Sequence, residues 1–168
     1  MRRPPLPSRV RIVEVGPRDG LQNERAPVDT ATKVALVDAL TTAGLPVIEV
    51  GAFVSPRWVP QMANTADVFQ SIKRAPGVAY TALVPNTIGL RRAIAAGVTE
   101  VAVFAAASET FSARNISQTV EESLKAYADV AREALENGLR VRAYLSTAFG
   151  CPYEGHVPVT RVVDVAVR

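Results

Sequence analysis

Residues 10–24 have the sequence VRIVEVGPRDGLQNE, in which a β-branched run leads directly into a polar loop. Residues 10–15 alternate β-branched with polar side chains and stop at Gly16, a pattern that predicts a strand entering a loop. After the loop, Asp29 stands in the position of a helix N-cap, and apolar residues recur at helical spacing up to Gly44, where a helix is expected to end. The chain therefore opens with a strand followed by a helix.

This strand-and-helix unit repeats along the rest of the chain. Further strands are predicted at residues 46–50, 78–84, 100–105 and 139–146, with helical patterns between them. A polar loop is expected after the fourth strand, and Thr119 and Glu122 beyond it have the spacing of a capping box. Alternating strands and helices imply a parallel sheet with right-handed crossovers, either an open doubly wound sheet or part of a closed (β/α) barrel.

The loops favour one of these two architectures. Polar and Gly/Pro-rich stretches follow the first, second, fourth and fifth predicted strands, at the ends where active sites are built in both architectures. Neither a glycine-rich dinucleotide fingerprint nor a P-loop follows any predicted strand, which counts against the nucleotide-binding open sheets. The sequence therefore favours the barrel.

Composition and charge exclude several classes of protein. Of the 168 residues 48% are hydrophobic and 21% are charged, which is typical of one globular domain or part of one. The 19 basic residues are scattered among 16 acidic ones, so we expect no nucleic-acid partner. No apolar run approaches the length of a bilayer-spanning helix, so we expect no membrane partner. A single cysteine excludes an internal disulfide and multi-cysteine metal sites, which predicts a reducing, cytoplasmic compartment.

The loop after the first predicted strand holds the densest cluster of candidate site residues. Taken alone, Asp19 followed by Gly20 is typical of a turn, and Arg18 is typical of a solvated surface. At the mouth of a barrel, however, the Asp19 carboxylate is a hard oxygen ligand suited to Mg²⁺ or Mn²⁺. The Arg18 guanidinium beside it is a positive charge suited to an oxyanion.

Glu49 is the one acid within the second predicted strand, which we expect to be buried. It forms either a structural ion pair with a nearby arginine or an acid of the site that holds Arg18 or the substrate. Both alternatives predict an arginine partner.

Four other conspicuous side chains are interpreted as having no role in catalysis or ligand binding. Cys151 and His156 lie in a Gly/Pro-rich loop with no register to aim the imidazole, so we expect an inert thiol and a surface histidine rather than a catalytic dyad. Phe53 and Trp58 lie in a proline-containing loop and are expected to pack against the fold.

Four stretches of the sequence carry a resemblance to a known family. They are VEVGPRDGLQNE (13–24), IEVGAFVSPRWVPQM (48–62), AAASETFSARN (105–115) and FGCPYEG (149–155). Together they resemble the 3-hydroxy-3-methylglutaryl-CoA lyases, which belong to a group of metal-dependent barrel enzymes that also includes isopropylmalate and homocitrate synthases. The RDG-x-Q element is shared across that group, whereas the FVSPRWVPQM and GCPYEG stretches are particular to the lyases.

The resemblance implies a (β/α)₈ barrel that cleaves the acyl-CoA substrate 3-hydroxy-3-methylglutaryl-CoA to acetyl-CoA and acetoacetate with Mg²⁺ or Mn²⁺. Arg18 matches the family's catalytic arginine, and Asp19 matches its metal-binding aspartate. Gln22 and Glu49 match polar residues of the site, and Asn115 falls in a loop near the acyl group. We therefore expect catalysis by Arg18 and Glu49, substrate binding by Arg18, Gln22 and Asn115, and metal binding by Asp19.

The sequence departs from the family in what it lacks. The lyases carry a His-x-His pair and an asparagine as further metal ligands, and a reactive cysteine near the C-terminus, none of which has a counterpart here. Ala52 also replaces a serine that is common in the family. Only about the first five strands of the barrel are predicted, where a closed barrel needs eight.

We therefore expect residues 1–9 to be a frayed lead-in and residues 10–168 to be the N-terminal part of a lyase barrel, inactive by itself. An exposed barrel edge would cause aggregation, partial folding, or association with another chain, including a second copy. The alternatives are a related Claisen-type synthase or aldolase of the same barrel group, and a truncated product without catalysis.

Overall fold

The sheet has four parallel strands that are neighbours in the order in which they occur along the chain. They are β1 (Val47–Ala52), β2 (Ala79–Leu83), β3 (Glu100–Ala106) and β4 (Arg140–Ser146). The structure is a computed structural model and describes residues 6–168. A doubly wound sheet reverses its strand order at a switch point, and the sheet within these residues does not. Sequential parallel order is that of a barrel wall, which confirms the predicted α/β fold as a partial barrel.

The strand predicted over residues 10–15 is reduced to a single bridged residue. Glu14 N–H donates to the Val47 carbonyl at 2.9 Å, and Glu49 N–H donates to the Glu14 carbonyl at 2.8 Å. Residues 10–12 are exposed and outside any strand, so the described sheet has four strands and one bridge instead of five strands. The physical reason is that residues 10–12 are exposed and bury no apolar face against the sheet that would stabilise further pairing.

In the described part of the chain, six α-helices connect or flank the strands. They are α1 (Thr30–Thr42), α2 (Thr65–Ser71), α3 (Thr87–Ala95), α4 (Glu109–Ile116), α5 (Val120–Glu136) and α6 (Val159–Val167). None of the helices within residues 6–168 combines the length and the apolar character needed to cross a membrane. Of the predicted lead-in, residues 1–5 lie outside the described residues, and residues 6–9 are exposed and form no helix or strand.

The helix ends follow the local sequence signals. The Asp29 carboxylate accepts a hydrogen bond from Thr32 N–H at 2.9 Å, and α1 ends just before Gly44, which has a φ of +81°. Thr119 and Glu122 form the predicted capping box at the start of α5. These predictions are confirmed. They were possible because a cap depends on side chains three residues apart and hardly on the rest of the fold.

Helix α4 corrects the prediction of a polar loop between β3 and Thr119. Ser108 is its N-cap, and the Ser108 hydroxyl accepts a hydrogen bond from Phe111 N–H at 3.0 Å. Its side chains are mostly polar, and few of them are buried. A short helix of this composition has little apolar periodicity to reveal it in the sequence.

The two faces of the sheet differ in character. The face toward the helices is apolar, and its buried side chains include Ile48, Val50, Tyr80, Val101 and Val103, packed against Val37, Phe69, Leu90 and Val130 of the helices. On the other face, Glu49 is in register with Thr81, and Thr81 with Glu100. Glu100 is also buried, and its carboxylate contacts Arg140 Nε at 2.9 Å on the neighbouring strand. The polar face is therefore the one that can carry a site.

The polar face is concave. The Tyr144 hydroxyl on β4 donates to Glu49 Oε2 on β1 at 2.9 Å, although β2 and β3 lie between these strands. In a flat sheet β1 and β4 would be about 14 Å apart, and side chains perpendicular to it would not meet. Through the register of the four strands, Glu49 corresponds to Arg140 on β4, yet it contacts Tyr144, four residues further along. A displacement of this kind along the strands is expected when they are tilted as in a barrel.

We expect Thr119→Ala to lower the free energy of unfolding of the chain by about 1 kcal/mol, because the Glu122 N–H at the start of α5 loses its capping partner, the Thr119 hydroxyl. The measurement is urea unfolding followed by circular dichroism. Gln118→Ala, at the exposed residue just before the cap, is the matched control and should leave the stability unchanged. Equal stability of the two variants would contradict the capping role.

Candidate functional site

The site begins with a tight helical turn at Gly16–Gly20, which starts two residues after the bridged residue Glu14. Glu14 Oε1 accepts a hydrogen bond from Gly16 N–H at 2.6 Å, and Asp19 N–H donates to the Val15 carbonyl at 2.6 Å. Glu14 thus joins β1 through its main chain and holds the start of the turn through its side chain. The turn carries Arg18 and Asp19 on the GPRDG sequence.

Glu49 is fully buried on the concave face, and both of its carboxylate oxygens are bonded. Oε1 accepts from Arg18 Nε at 2.5 Å, and Oε2 accepts from the Tyr144 hydroxyl at 2.9 Å. A buried carboxylate is costly unless it is paired and hydrogen-bonded, and these two donors meet that requirement. The arginine partner that the sequence predicts for Glu49 is therefore Arg18, which joins the two candidate catalytic residues directly.

Tyr144 is a residue of this cluster that sequence reasoning did not find. Burial, followed by the negative charge of Glu49 and the hydrogen bond to it, raises the pKa of Tyr144 to about 12. The hydroxyl is thus protonated at neutral pH and can donate to the carboxylate. Its signal in the sequence is weak: Arg140, Arg142 and Tyr144 alternate along β4, which places them on one face of the sheet.

Arg18 connects the buried and the exposed parts of the site. Its side chain is 13% exposed, and its Nη1 donates to Asp19 Oδ1 at 2.8 Å, where the Asp19 side chain is 56% exposed. A guanidinium has five N–H donors in a fixed plane. With Nε bonded to Glu49 and one Nη1 hydrogen bonded to Asp19, the remaining N–H groups can meet an anion at the mouth of the concave face.

The donor set fits part of the metal site that the sequence implies. Asp19 offers an accessible carboxylate, which is the oxygen chemistry that Mg²⁺ and Mn²⁺ prefer. Within residues 6–168, however, no three His, Cys, Asp or Glu side chains are grouped so that they could hold a metal ion. Asp19 fits the role of one ligand, and the described residues do not complete a metal site around it.

Besides Arg18, two residues are predicted to bind substrate, Gln22 and Asn115, and they lie in different places. Gln22 is half-buried in the helical turn that continues from Gly20, close in sequence to Arg18 and Asp19. Asn115 is exposed in the last turn of α4, which corrects its expected position in a loop. No hydrogen bond in the described part of the chain links Asn115 to the cluster around Glu49.

The four residues that were given no catalytic or binding role do not all lie where the sequence predicts. Cys151 is buried with its Sγ 3.1 Å from the Ser108 hydroxyl, and His156 is exposed. Phe53 is buried as expected, but Trp58 is 86% exposed, so its expected packing role is wrong. The proline-containing loop holds the Trp58 side chain away from the core, and the sequence gives no local signal for that orientation.

We expect Tyr144→Phe to lower the free energy of unfolding by about 2 kcal/mol, because a buried charged acceptor loses one of its donors. Since the pKa of Tyr144 is raised to about 12, the difference from the unmodified chain should persist from pH 7 to pH 10. Tyr153→Phe, which removes the hydroxyl of a half-exposed tyrosine, is the control and should change stability little. Chemical unfolding at several pH values measures both variants, and equal losses would contradict the buried hydrogen bond.

Comparisons with known proteins bear on the origin of this arrangement. The chain matches the HMGL-like family over residues 9–168. It is 55% identical over 161 residues to the 3-hydroxy-3-isohexenylglutaryl-CoA/hydroxymethylglutaryl-CoA lyase of Pseudomonas aeruginosa, covering 96% of this chain and 54% of that protein. It is 51% identical over 163 residues to the mitochondrial hydroxymethylglutaryl-CoA lyase of Gallus gallus, covering 97% of this chain and 55% of the relative.

Solved structures give the same result. The crystal structure of the Pseudomonas aeruginosa lyase superposes with a TM-score of 0.93, covering 96% of this chain and 54% of that one. An HMG-CoA lyase from Acinetobacter baumannii in complex with coenzyme A and 3-methylmalate superposes with a TM-score of 0.87 at 34% identity, covering 92% of this chain and 51% of that one. The chain thus spans about half the length of the relatives it matches. By sequence and by structure, this chain belongs to the HMGL-like family.

Proposed function

We propose that the chain supplies one half of the active site of a divalent-metal-dependent lyase that cleaves 3-hydroxy-3-methylglutaryl-CoA to acetyl-CoA and acetoacetate. The observation that carries the proposal is the Arg18–Glu49 pair at the mouth of the concave face, with Arg18 Nε 2.5 Å from Glu49 Oε1. The identity of 55% to a lyase of this class supports the choice of reaction.

Arg18 has the electrostatic role in this reaction. A base removes the proton of the tertiary hydroxyl, the C–C bond breaks as the ketone of acetoacetate forms, and its electron pair passes to the acetyl thioester as an enolate. Protonation of that enolate carbon yields acetyl-CoA. A guanidinium already fixed in place stabilises the enolate charge more than it stabilises the substrate, so it lowers the barrier.

Glu49 is a positioning residue in this mechanism rather than the base. Both of its oxygens already accept hydrogen bonds, from Arg18 and from Tyr144. The buried carboxylate therefore keeps the Arg18 guanidinium oriented before the substrate arrives. Preorganisation of this kind avoids the cost of reorienting the guanidinium while charge develops.

Asp19 is the residue of this chain that would hold the metal, as one oxygen ligand. When bound, Mg²⁺ or Mn²⁺ would lower the pKa of the substrate's tertiary hydroxyl. Asp19 also accepts a hydrogen bond from Arg18, which couples the ligand to the guanidinium. Gln22 is assigned a polar contact to the substrate within the same turn, and Asn115 is assigned one at the end of α4.

We further propose that the chain works in association with the βα units that complete such a barrel. The outer edge of β4 has no strand beside it in the described residues, and Val159, Val163 and Val167 on α6 are exposed large apolar side chains. An unpaired strand edge next to an apolar helix face is a surface that association would cover. A reducing compartment suits the single buried thiol of Cys151.

A chimera tests the reaction. The 168-residue chain replaces the matching half of the Pseudomonas aeruginosa lyase, and acyl-CoA cleavage is assayed with Mn²⁺. We expect the chimera to cleave 3-hydroxy-3-methylglutaryl-CoA and Arg18→Gln to lower kcat by about 10²- to 10³-fold, the loss typical of a removed electrostatic stabiliser. Arg132→Gln, at an exposed ion pair on α5, is the matched control and should retain full activity.

Two results would contradict the proposed function. One is a chimera whose cleavage is unaffected by Arg18→Gln. The other is a chimera that condenses an acyl-CoA with a 2-oxo acid and leaves 3-hydroxy-3-methylglutaryl-CoA intact, which would indicate a synthase.

For the isolated chain we expect weak Mn²⁺ binding through Asp19, with a Kd of about 1 mM or higher, because a single carboxylate is a poor site. Electron paramagnetic resonance of free Mn²⁺ measures it. Asp19→Asn should weaken this binding more than Glu24→Gln, which removes an exposed carboxylate of the same polar loop. Tight binding that survives Asp19→Asn would contradict the assignment of Asp19.

A further inference from the structure

Lys33 on α1 is a buried lysine that has no acidic partner among the described residues. It is 3% exposed, and its Nζ donates hydrogen bonds to the Gln61 carbonyl and, at 2.6 Å, to Asn64 Oδ1. Both acceptors are neutral oxygens, and burial lowers the pKa of Lys33. Lysines are rarely buried this completely unless they are paired, because the ammonium loses its hydration. Because burying an ammonium group costs free energy, we expect these two contacts to have a role in the fold or in the site.

Both acceptors belong to the loop that connects β1 to α2, here called the β1–α2 loop (residues 53–64). From this loop the Gln61 amide donates to the Glu24 carbonyl at 2.9 Å. The Asn64 amide donates to the Thr30 hydroxyl at 3.0 Å and to the Val28 carbonyl at 3.3 Å. The two residues held by Lys33 therefore reach across to the segment 24–30.

That segment directly follows the turn with the site residues. Glu24 lies two residues after Gln22 and five after Asp19. In the same region, Met62 of the β1–α2 loop is in a small apolar cluster that packs against Leu21. The hydrogen bonds around Lys33 reach the segment 24–30, and the apolar contact reaches Leu21. Both therefore connect the β1–α2 loop to the chain that follows Arg18 and Asp19.

We propose that Lys33 is a positioning residue that fixes the β1–α2 loop against the segment 24–30 and thereby holds the turn of Arg18, Asp19 and Gln22 in place. It acts through Gln61 and Asn64, without contacting Arg18 or Asp19. Removing the ammonium would leave the Gln61 carbonyl and Asn64 Oδ1 without a donor, a loss that favours other loop conformations. The kinetic part of this inference rests on the proposed lyase function, and the structural part does not.

A tryptophan in the β1–α2 loop can report on how firmly the loop is held. Trp58 is the only tryptophan and lies in the middle of the β1–α2 loop. We expect Lys33→Met to lower the fluorescence anisotropy of Trp58 and to speed hydrogen exchange at the Asp19 and Asn23 amides by about 10-fold, the loss expected for one hydrogen bond. Lys33→Arg retains a buried donor and should restore much of the protection. Lys125→Met, at an exposed lysine on α5, is the matched control and should change neither measurement.

Gln61→Met is a second test that keeps Lys33 and the Gln61 carbonyl. It removes only the side-chain bond to Glu24, so exchange at Asn23 should accelerate while Trp58 anisotropy stays high. A folded Lys33→Met chain with the anisotropy and exchange rates of Lys125→Met would overturn the proposal. If Lys33→Met does not fold, unchanged exchange at Asn23 in Gln61→Met would overturn it instead.

The chimera separates this inference from the proposed function. In an active chimera we expect Lys33→Met to lower kcat by about 10-fold with a smaller change in KM, since the fixed placement of Arg18 matters most in the transition state. Full kcat in Lys33→Met would overturn the kinetic role. An unmodified chimera without activity would count against the lyase function, while the exchange and anisotropy results would still decide the role of Lys33.

Discussion

The carboxylate of Glu49 imposes the constraint on which the rest of the site depends. It is fully buried, so it must be met by donors, and the two that meet it come from opposite ends of the described chain. Arg18 arrives from the turn before α1, and Tyr144 arrives from β4. Satisfying both oxygens at once requires a concave sheet and a turn that directs Arg18 inward. The two hydrogen bonds of the buried carboxylate therefore link the curvature of the wall to the orientation of the guanidinium.

Sequence patterns predicted the features whose causes are local or chemically forced. The four strands of the sheet are apolar or alternating segments bounded by turn signals, and the caps at Asp29 and Thr119 depend on neighbouring residues alone. An acid within a buried strand requires a partner, so the pairing of Glu49 with an arginine was also predictable. The family resemblance added the specific roles proposed for Arg18 in catalysis and for Asp19 in metal binding.

The features that the sequence did not reveal depend on distant parts of the chain. Tyr144 meets Glu49 across 95 residues, and Lys33 meets Asn64 across 31, and neither pair shares a local pattern. The strand predicted over residues 10–15 has the right alternation, but its residues 10–12 are exposed and bury no apolar face, so pairing is confined to Glu14. Alternation predicts that a segment can form a strand, and only the fold determines how much of it does.

The measurement that tests this account most directly is the hydrogen exchange of the Arg18 side-chain Nε–H by ¹⁵N nuclear magnetic resonance of the 168-residue chain. A bond to a buried carboxylate predicts an Nε–H resonance that exchanges at least about 10-fold more slowly than that of exposed Arg132, and that loses this protection in Glu49→Gln. An Arg18 Nε–H that exchanges as fast as that of Arg132 would contradict the buried pair, and with it the account of how the turn, the curved sheet and the site are held together.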